Sequence, residues 1–244
     1  MTKQYQLNYA GGRPQMYDLA SRVIRGKRIV KLLGFYFGKN RLKKLKVLDV
    51  GSSTGIIDNE IAKSVGRVIG YDIDKEAMEF AKKTFRRKNL TFKYGDAMKL
   101  TFPQNRFDVV VCAQVYEHVP NPSKMFSEIY RVLKSSGVCY LAALNKYWIM
   151  EPHYRLPFLA WLPKNIADIY VRVFRGVNKY YETPLSWWEL ASLTKKFKRL
   201  DYTGQILSEP KKYGYLNRPI PKAVSFFLRY FTPTFFWLLV KPEK

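Results

Sequence analysis

The chain has 244 residues, of which 47% are hydrophobic and 16% are aromatic. This composition excludes a disordered protein and supplies enough apolar side chains for a buried core. The length is typical of one α/β domain with additional elements. The formal net charge of +24 indicates either a solvated basic surface or one that attracts phosphates, nucleic acids or anionic lipid headgroups.

The positive charge is concentrated at the start of the chain. Residues 1–46 contain twelve Lys or Arg residues and a single acidic residue, Asp18. We therefore interpret residues 1–44 as a basic, helical N-terminal segment. Gln4, Gln6 and Asn8 interrupt any candidate signal peptide, so secretion is not expected.

The two cysteines, Cys112 and Cys139, both lie in apolar runs. Free cysteine in such a setting usually behaves as a small buried hydrophobic residue, and two cysteines do not make a disulfide framework. A cytoplasmic protein fits this pattern, with a peripheral position at the membrane as an alternative.

Residues 45–144 alternate short β-branched runs with amphipathic helical patterns, which predicts a parallel sheet flanked by helices. A first helix over Ile56–Val65 separates the first two strands. The five predicted strands in this part are Val47–Val50, Val68–Tyr71, Leu90–Tyr94, Val109–Cys112 and Val138–Leu144.

Two further helices have clear start signals. Asp74 is predicted to cap the helix after the second strand, and Asn121 with Pro122 begins the helix after the fourth. Each helix carries one apolar face at spacings of three and four residues. These faces consist of Ala77, Phe80, Ala81 and Phe85 in the first helix and of Met125, Phe126, Ile129, Tyr130 and Leu133 in the second.

The remainder of the chain is less regular. Residues 146–185 are rich in aromatic residues and broken by prolines, and we predict an inserted cap whose aromatics roof an apolar substrate. The part after it, residues 186–244, is predicted to complete the domain. It contains a helix over Ser186–Phe197, a sixth strand over Leu200–Ile206 and a seventh over Phe235–Val240.

The apolar run Ala223–Val240 resembles a transmembrane segment at first sight. Arg229 and the break at Thr232-Pro233-Thr234 leave fewer than the about 20 consecutive apolar residues that a span requires. The pattern favours a short helix followed by a core strand. Contact of the helical residues Phe226–Tyr230 with an anionic membrane surface remains an alternative.

The strand end Asp49-Val50-Gly51 runs through Ser52-Ser53-Thr54-Gly55 into a helix. In such a tight turn the backbone approaches a ligand closely, and helix N–H groups face it. The dinucleotide fingerprint requires glycine at 51, 53 and 56, but Ser53 and Ile56 occupy two of these positions, and no phosphate-binding Gly-Lys-Ser/Thr follows. The turn therefore predicts a nucleotide-like cofactor without a pyrophosphate.

Acidic residues end the next two strands. Asp72 ends the second strand, about twenty residues after the glycine turn, where a carboxylate can accept hydrogen bonds from ribose hydroxyls. Asp96 ends the third strand at the same edge of the sheet, where it can accept a hydrogen bond from an adenine amino group. Two alternatives stay open at this point. Asp72 can simply cap the next helix, and Asp74 competes with it for the ribose.

These strand ends occur together with Phe107-Asp108-Val109-Val110, Glu117-His118-Val119 and Tyr130-Arg131-Val132-Leu133-Lys134. In this order and spacing, residues 45–145 resemble the class I S-adenosylmethionine-dependent methyltransferases. The similarity is to the group that acts on small molecules and lipids, with a methyltransferase type 11-like domain. The resemblance implies an α/β fold with a Rossmann-like, mostly parallel seven-stranded sheet whose last strand is antiparallel, with flanking helices and the inserted cap.

The resemblance also implies the cofactor, S-adenosyl-L-methionine, and its contacts. Ser53 departs from the family pattern, which commonly has glycine there, and Ser135-Ser136-Gly137 replaces a more usual Pro-Gly-Gly. The implied contacts are Gly51, Ser52, Ser53 and Gly55 for the methionine portion, Asp72 with Ile73 for the ribose, Asp96 with Ala97 for the adenine, and Ala113 and Gln114 at the end of the fourth strand.

Methyl transfer from a sulfonium mainly requires alignment of the acceptor, and a general base helps if the acceptor is a hydroxyl. His118 and His153 are the candidate catalytic residues, although either histidine can equally have a structural role. We expect no metal site, because the two histidines are 35 positions apart and no acidic cluster accompanies them.

Two other methyltransferase chemistries are disfavoured. Ala113-Gln114-Val115-Tyr116 stands where many base-amino methyltransferases have an Asn-Pro-Pro-Tyr type segment, and Cys112 lies inside a strand and not in a nucleophile position. We therefore expect transfer to a small-molecule or lipid-linked acceptor, with oxygen as the preferred atom. An RNA (tRNA) methyltransferase and a non-enzymatic scaffold are the alternatives.

Overall fold

The computed structural model describes residues 7–243. Its main sheet has seven strands in the order β3-β2-β1-β4-β5-β9-β8. Strands β1 to β5 pair in parallel, whereas β9 is antiparallel to both β5 and β8. This confirms the predicted mostly parallel sheet. The strands are β1 Lys46–Val50, β2 Arg67–Asp72, β3 Leu90–Tyr94, β4 Phe107–Ala113, β5 Leu133–Leu144, β8 Lys198–Asp201 and β9 Thr234–Val240, and the hairpin strands are β6 Met150–Glu151 and β7 Leu156–Pro157.

Nine α-helices are found within the described residues, and the predicted caps are confirmed. The Asp74 carboxylate accepts a hydrogen bond from the Ala77 N–H at 3.0 Å, and the Asn121 side chain accepts one from the Lys124 N–H at 3.0 Å. The helices are α1 Leu19–Phe37, α2 Lys39–Leu42, α3 Ile56–Ile61, α4 Lys75–Thr84, α5 Pro122–Val132, α6 Lys164–Arg175, α7 Trp187–Leu193, α8 Thr203–Ser208 and α9 Lys222–Leu228.

The sheet is buried on both faces, as its continuous apolar strands predict. In β4, Val109 and Val111 pack in the cluster that contains α1, α3 and α4, and Val110 and Cys112 pack in the cluster that contains α5 and α7. Cys112 and Cys139 are both free and buried, as expected. Helices therefore cover both faces and leave the strand ends to form a binding edge.

Several predicted element boundaries are wrong. The helix predicted over Ser186–Phe197 ends at Leu193, and the fifth strand begins at Leu133 and not at Val138. The sixth strand ends at Asp201, because the Asp201 carboxylate accepts the Thr203 N–H at 2.9 Å and turns the chain into α8. The first helix of the sheet region ends at Ile61 and not at Val65. The Asn89 side-chain amide donates to the carbonyls of Ala62 and Val65. These two carbonyl oxygens therefore accept hydrogen bonds from a side chain and not from the next turn of a helix.

The N-terminal segment lies against the carboxyl ends of the strands. Residues 1–6 of this predicted segment lie outside the described part. The Ala10 N–H donates to the Asp74 carboxylate at 2.9 Å, and the Thr54 hydroxyl donates to the Met16 carbonyl at 2.7 Å. Helix α1 then packs on α3, and Gly26 permits this contact because a Cβ there would lie 2.8 Å from the Glu60 Cβ.

Residues 146–185 form the inserted part, which contains the β6–β7 hairpin and α6. Its small apolar cluster is Leu156, Leu159, Ala167, Val171 and Tyr180. Near the C-terminus, α9 precedes β9, which confirms the predicted short helix and core strand. Within residues 7–243, no helix has both the length and the apolar character needed to cross a membrane.

Two carboxyl groups are buried together beneath the strand ends. Asp49 of β1 is 4% exposed and Asp58 of α3 is 0% exposed. Burial raises the pKa of Asp49 well above its usual range, and the charge of Asp58 raises it further. Burial also raises the pKa of Asp58, to about 7, although the nearby Arg22 guanidinium lowers it. These raised pKa values favour a protonated carboxyl in this pair near neutral pH.

This pair makes the stability of the unliganded protein pH-dependent. In the unfolded chain both carboxyls have pKa values near ~3.9, so above that pH the folded state binds more protons than the unfolded state. The free energy of unfolding should therefore fall as the pH rises from about 5 to about 8. We expect Asp58→Asn to flatten this fall, measured as the thermal unfolding midpoint in a pH series.

The matched control is Glu76→Gln, which removes an exposed carboxyl from α4 and should leave the slope of the parent protein unchanged. An equal slope in the Asp58→Asn variant would show that Asp58 does not carry the dependence.

Candidate functional site

A cavity of about 400 Å³ opens at the carboxyl edge of the sheet. It extends from the ends of β2 and β3 across β1 and β4 to β5 and β9. We call the part lined by Gly51, Asp72, Gly95 and Ala97 the β1–β3 half, and the part lined by Tyr140, Ala142, Tyr215 and Phe236 the β5–β9 half. The volume lies in the range of small-molecule sites.

The turn after β1 has the tight, left-handed geometry that its sequence predicts. Gly51 has φ +81° and Ser53 has φ +49°. A Cβ at Gly51 would lie 2.3 Å from the Val115 side chain, so glycine is required there. The left-handed backbone at Ser53 explains why the resembled family favours glycine at this position. The Ser53 N–H donates to the Asp72 carboxylate at 2.8 Å, which stabilises the turn despite the side chain.

Asp72 lines the cavity and connects the turns after β1 and β2. One carboxylate oxygen accepts the Ser53 N–H and the other accepts the Asp74 N–H, each at 2.8 Å. Each oxygen keeps a further lone pair for a ligand hydroxyl. Burial raises the pKa of Asp72, and these backbone hydrogen bonds oppose the rise.

Asp74, the competing carboxylate, also lines the cavity but has structural partners for both oxygens. One oxygen caps α4 and the other accepts the Ala10 N–H. The geometry therefore favours Asp72 over Asp74 as the ribose ligand, and that role stays a prediction.

Most of the predicted site residues line the cavity, but Ser52, Gly55 and Asp96 do not. Ser52 is buried beside Met78, and Gly55 is the N-cap of α3. The Asp96 carboxylate accepts the Met98 N–H at 2.6 Å, and its neighbours Gly95 and Ala97 line the cavity instead. The predicted residues found in the lining are Gly51, Ser53, Asp72, Ile73, Ala97, Ala113, Gln114, His118 and His153.

The two histidines, 35 positions apart in the sequence, meet in the cavity wall. Their ring centroids are 5.0 Å apart and the rings are nearly perpendicular. His153 Nδ1 lies 2.7 Å from a Glu151 carboxylate oxygen, and His118 Nδ1 lies 3.6 Å from a Glu182 carboxylate oxygen. Glu151 and Glu182 are buried, so the site has an acidic second layer that the sequence pattern did not indicate.

Glu151 fixes the ring of His153 through Nδ1, which leaves Nε2 as the nitrogen free to exchange a proton. Burial lowers the pKa of His153, but the hydrogen bond that its Nδ1 donates to Glu151 and the charge of Glu182 outweigh this effect, and the pKa is raised overall. A histidine held in this way has the form of a general base oriented by a carboxylate.

The same residues can hold a cation. Potential ligand atoms of His118, His153 and Glu182 lie within 4.8 Å of one another. Within residues 7–243, this is the one group of three or more His, Cys, Asp or Glu residues whose ligand atoms come so close together. The expectation of no metal rested on the separation of the histidines in sequence and on the lack of acidic residues. The tertiary structure removes both premises, because it brings the histidines together beside Glu151 and Glu182.

Several lining residues come from the N-terminal segment, which the charge pattern indicated only as a basic surface. The Tyr9 ring contacts that of His118, with centroids 4.7 Å apart and planes tilted by 60°, and Arg13 contacts both the Tyr9 ring and the Glu182 carboxylate. Helix α1 places three arginines in the cavity wall: Arg22, Arg25 and Arg28. Their spacing of three residues was the available signal for one helical face.

The expectation that cap aromatics roof the cavity is wrong. Of the inserted residues 146–185, only His153 lines the cavity. The aromatic side chains of Tyr147, Trp148 and Trp161 are partly exposed to solvent. The hairpin β6–β7 and α6 pack around their own apolar cluster, and the aromatics of residues 146–185 are not in the cavity lining. The aromatic lining comes instead from Tyr9, Tyr71, Tyr140, Tyr215 and Phe236.

The β1–β3 half fits S-adenosylmethionine. It combines a left-handed turn that exposes backbone at Gly51, a carboxylate at Asp72 with free lone pairs, and small residues at Gly95 and Ala97 where a base would lie. Arg22 is 8% exposed and its Nε lacks a protein hydrogen-bond partner in the described residues, so it is suited to the cofactor's carboxylate.

Comparison with known proteins supports this assignment. Residues 48–141 match the methyltransferase domain family. The ubiquinone biosynthesis O-methyltransferase of Actinobacillus pleuropneumoniae serotype 7 (strain AP76) is 33% identical over 114 residues, which cover 44% of this chain and 49% of that protein. The match thus spans about half the length of that relative.

Solved structures share the fold across most of the chain. The plantazolicin methyltransferase BpumL, in complex with a monoazolic desmethylPZN analog and SAH, has a TM-score of 0.62 at 15% identity, covering 96% of this chain and 89% of its own. The [4+2]-cyclase SpnF has a TM-score of 0.55 at 18% identity, covering 89% and 81%. At these identities the likeness shows the fold alone. Residues 48–141 thus match a methyltransferase domain, and with the shared fold and the strand-end residues the chain resembles the class I S-adenosylmethionine-dependent methyltransferases.

Proposed function

We propose that this protein transfers a methyl group from S-adenosylmethionine to a hydroxyl oxygen of a small-molecule acceptor. The observation that carries the proposal is the Glu151–His153 pair in the wall of the cavity whose other end fits the cofactor. A base is useful for a hydroxyl acceptor and unnecessary for most neutral amines. The relatives named ubiquinone biosynthesis O-methyltransferases support oxygen as the acceptor atom.

The bound cofactor supplies an activated methyl group on its sulfonium. Asp72 binds and orients the ribose, while the turn at Gly51 brings backbone close to the methionine portion. His153 removes the acceptor's hydroxyl proton through Nε2, and Glu151 stabilises the resulting imidazolium. His118 packs edge-on against His153 and limits its rotation.

The direct test is a labelled-methyl transfer assay on cell extract, separated into small-molecule, lipid and RNA fractions. We expect label in the small-molecule or lipid fraction, in a product whose methyl is attached to oxygen. Label recovered only in RNA would contradict the proposal and favour an RNA methyltransferase. Absence of both labelling and S-adenosylhomocysteine binding would favour a non-enzymatic scaffold.

The assignment of Asp72 is tested by S-adenosylhomocysteine binding, measured by calorimetry. Asp72→Asn removes the charge from hydrogen bonds worth about 1.5–3 kcal/mol, and we expect affinity to fall by at least about tenfold. Asp74→Asn is the matched control, since asparagine also caps helices, and its affinity should change little. The reverse order of effects would assign the ribose to Asp74.

The proposed base is tested by the pH dependence of kcat/KM. Because the base must be neutral, kcat/KM should rise with pH through the raised pKa of His153. Glu151→Gln removes the carboxylate that raises this pKa, so the rising limb should move to lower pH. His153→Ala should lower kcat by about 100-fold or more.

The same assays are run with and without EDTA. Activity that survives chelation, together with the shifted limb, supports proton transfer by His153. Loss of activity on chelation and its recovery with a divalent cation would assign the cluster of His118, His153 and Glu182 to metal binding instead.

We also propose a peripheral position at an anionic membrane surface. Helix α6 exposes Ile166, Ile169, Val173 and Phe174, and its last turn carries Arg172 and Arg175. Helix α9 exposes Phe226, Phe227 and Leu228. Exposed apolar side chains beside cationic ones are typical of helices that lie in a lipid interface.

Vesicle flotation tests this position. We expect the protein to float with vesicles containing an anionic phospholipid and to float less with purely zwitterionic ones. Phe174→Ser and Phe227→Ser should weaken flotation, whereas Tyr94→Ser, an exposed aromatic at the end of β3, should not. Equal flotation of all variants would exclude both helices as the contact.

A further inference from the structure

The β5–β9 half of the cavity contains two cationic side chains that the proposed reaction does not use. Arg25 and Arg28 of α1 line the cavity one helical turn apart, together with Arg22. Arg28 is half-buried, and Arg25 lies at the more exposed mouth. A guanidinium is permanently charged and its planar fork matches carboxylate and phosphate oxygens.

The contacts of these two arginines position the charges without neutralising them. Arg25 donates to the Gln114 side-chain oxygen at 2.9 Å, and Arg28 donates through Nε to the Gly214 carbonyl at 3.0 Å. Neither forms an ion pair with a carboxylate in residues 7–243. Two positive charges in one cavity wall therefore favour a ligand that brings a negative charge.

Aromatic side chains complete this part of the wall. The Arg28 guanidinium lies 3.8 Å from the centroid of the Tyr215 ring. Burial raises the pKa values of Tyr140 and Tyr215, and the charges of Arg28 and Arg25 lower both. All four side chains line the same cavity. Phe236 and Ala142 line the same half.

Arg25 touches one predicted cofactor residue, Gln114, whereas Arg28 contacts Gly214 and Tyr215, which are not among the predicted cofactor residues. The predicted cofactor residues Gly51, Asp72 and Ala97 lie on β1 to β3, whereas Tyr140 and Phe236 belong to β5 and β9, on the other side of β4. Arg22 is the arginine close to Asp49 and Asp58, at the end of α1 nearer the cofactor turn. Arg25 and Arg28, one and two turns further along α1, line the same cavity as Tyr140 and Tyr215.

We propose that Arg25 and Arg28 form a binding subsite for an anionic group on an aromatic methyl acceptor. This rests on the proposed function, because it deepens the acceptor class of the same cavity. The acceptor's ring packs against Tyr140, Tyr215 and Phe236, and its carboxylate or phosphate accepts hydrogen bonds from the two guanidinium groups. The acceptor hydroxyl is thereby held toward β4 and the histidines.

Binding to the S-adenosylhomocysteine-saturated protein tests the subsite without requiring turnover. The probes are 4-hydroxybenzoate, phenyl phosphate and the neutral 4-hydroxybenzamide, titrated by calorimetry or ligand-observed NMR. We expect at least one anion to bind about tenfold more tightly than the amide, and which anion does so distinguishes carboxylate from phosphate. Arg25→Gln and Arg28→Gln should each remove most of this preference.

Lys31→Gln is the matched control, since Lys31 lies on the same helix and donates to the Lys211 carbonyl outside the cavity lining. It should leave the preference unchanged. Because Arg28 also donates to the Gly214 carbonyl, thermal unfolding checks that the Arg28→Gln variant is folded. Arg25→Gln is an independent test, because Arg25 donates to the Gln114 side chain and not to the backbone.

Two results would overturn the subsite. One is equal or tighter binding of the amide, or no binding of either anion. The other is a fall in S-adenosylhomocysteine affinity in Arg25→Gln and Arg28→Gln as large as the fall for the anionic probe, which would assign these arginines to the cofactor. Failure of methyl transfer with an intact anion preference would instead contradict only the proposed function.

Discussion

The carboxylate of Asp72 connects the parts of the site. It accepts the Ser53 N–H from the turn after β1 and the Asp74 N–H from the turn after β2. The Gly95 N–H, after β3, donates to the Asp72 carbonyl at 2.9 Å. One residue therefore fixes the relative positions of three strand ends. A left-handed turn at a non-glycine residue persists only where surrounding contacts determine it, and this hydrogen bond is such a contact.

Several buried acidic groups lie near the cavity, and four of them are protonated or paired. Burial raises the pKa values of Asp49 and Asp58, which favours their protonated forms, and the charge of Arg22 opposes the rise. Glu151 binds His153, and Glu182 contacts His118 and Arg13. Isolated buried charges are costly, so neutralisation or pairing is required. These arrangements leave the cavity with defined positions for positive and negative charge, as recognition of a charged cofactor and a polar acceptor requires.

The structure of the N-terminal segment places part of the chain's positive charge in the wall of the cavity. As composition, an excess of Lys and Arg describes a surface field and says little about a site. In the fold, α1 packs on α3 through Gly26, and this contact directs Arg22, Arg25 and Arg28 into the cavity. The residues that surround the proposed acceptor space thus lie largely outside the matched family segment, residues 48–141.

The sequence by itself determined the sheet, the caps at Asp74 and Asn121, and the placement of Asp72, because these depend on local periodicity and on the rule that parallel strands end at one edge. Sequence reasoning failed where a local pattern was ambiguous, as at Thr203, where the Asp201 turn replaces the strand. Only the tertiary structure decided that His118 and His153 meet and that Arg25 and Arg28 face the cavity. Such contacts join residues far apart in the chain, and their geometry is set by the packing of whole elements, which no short pattern encodes.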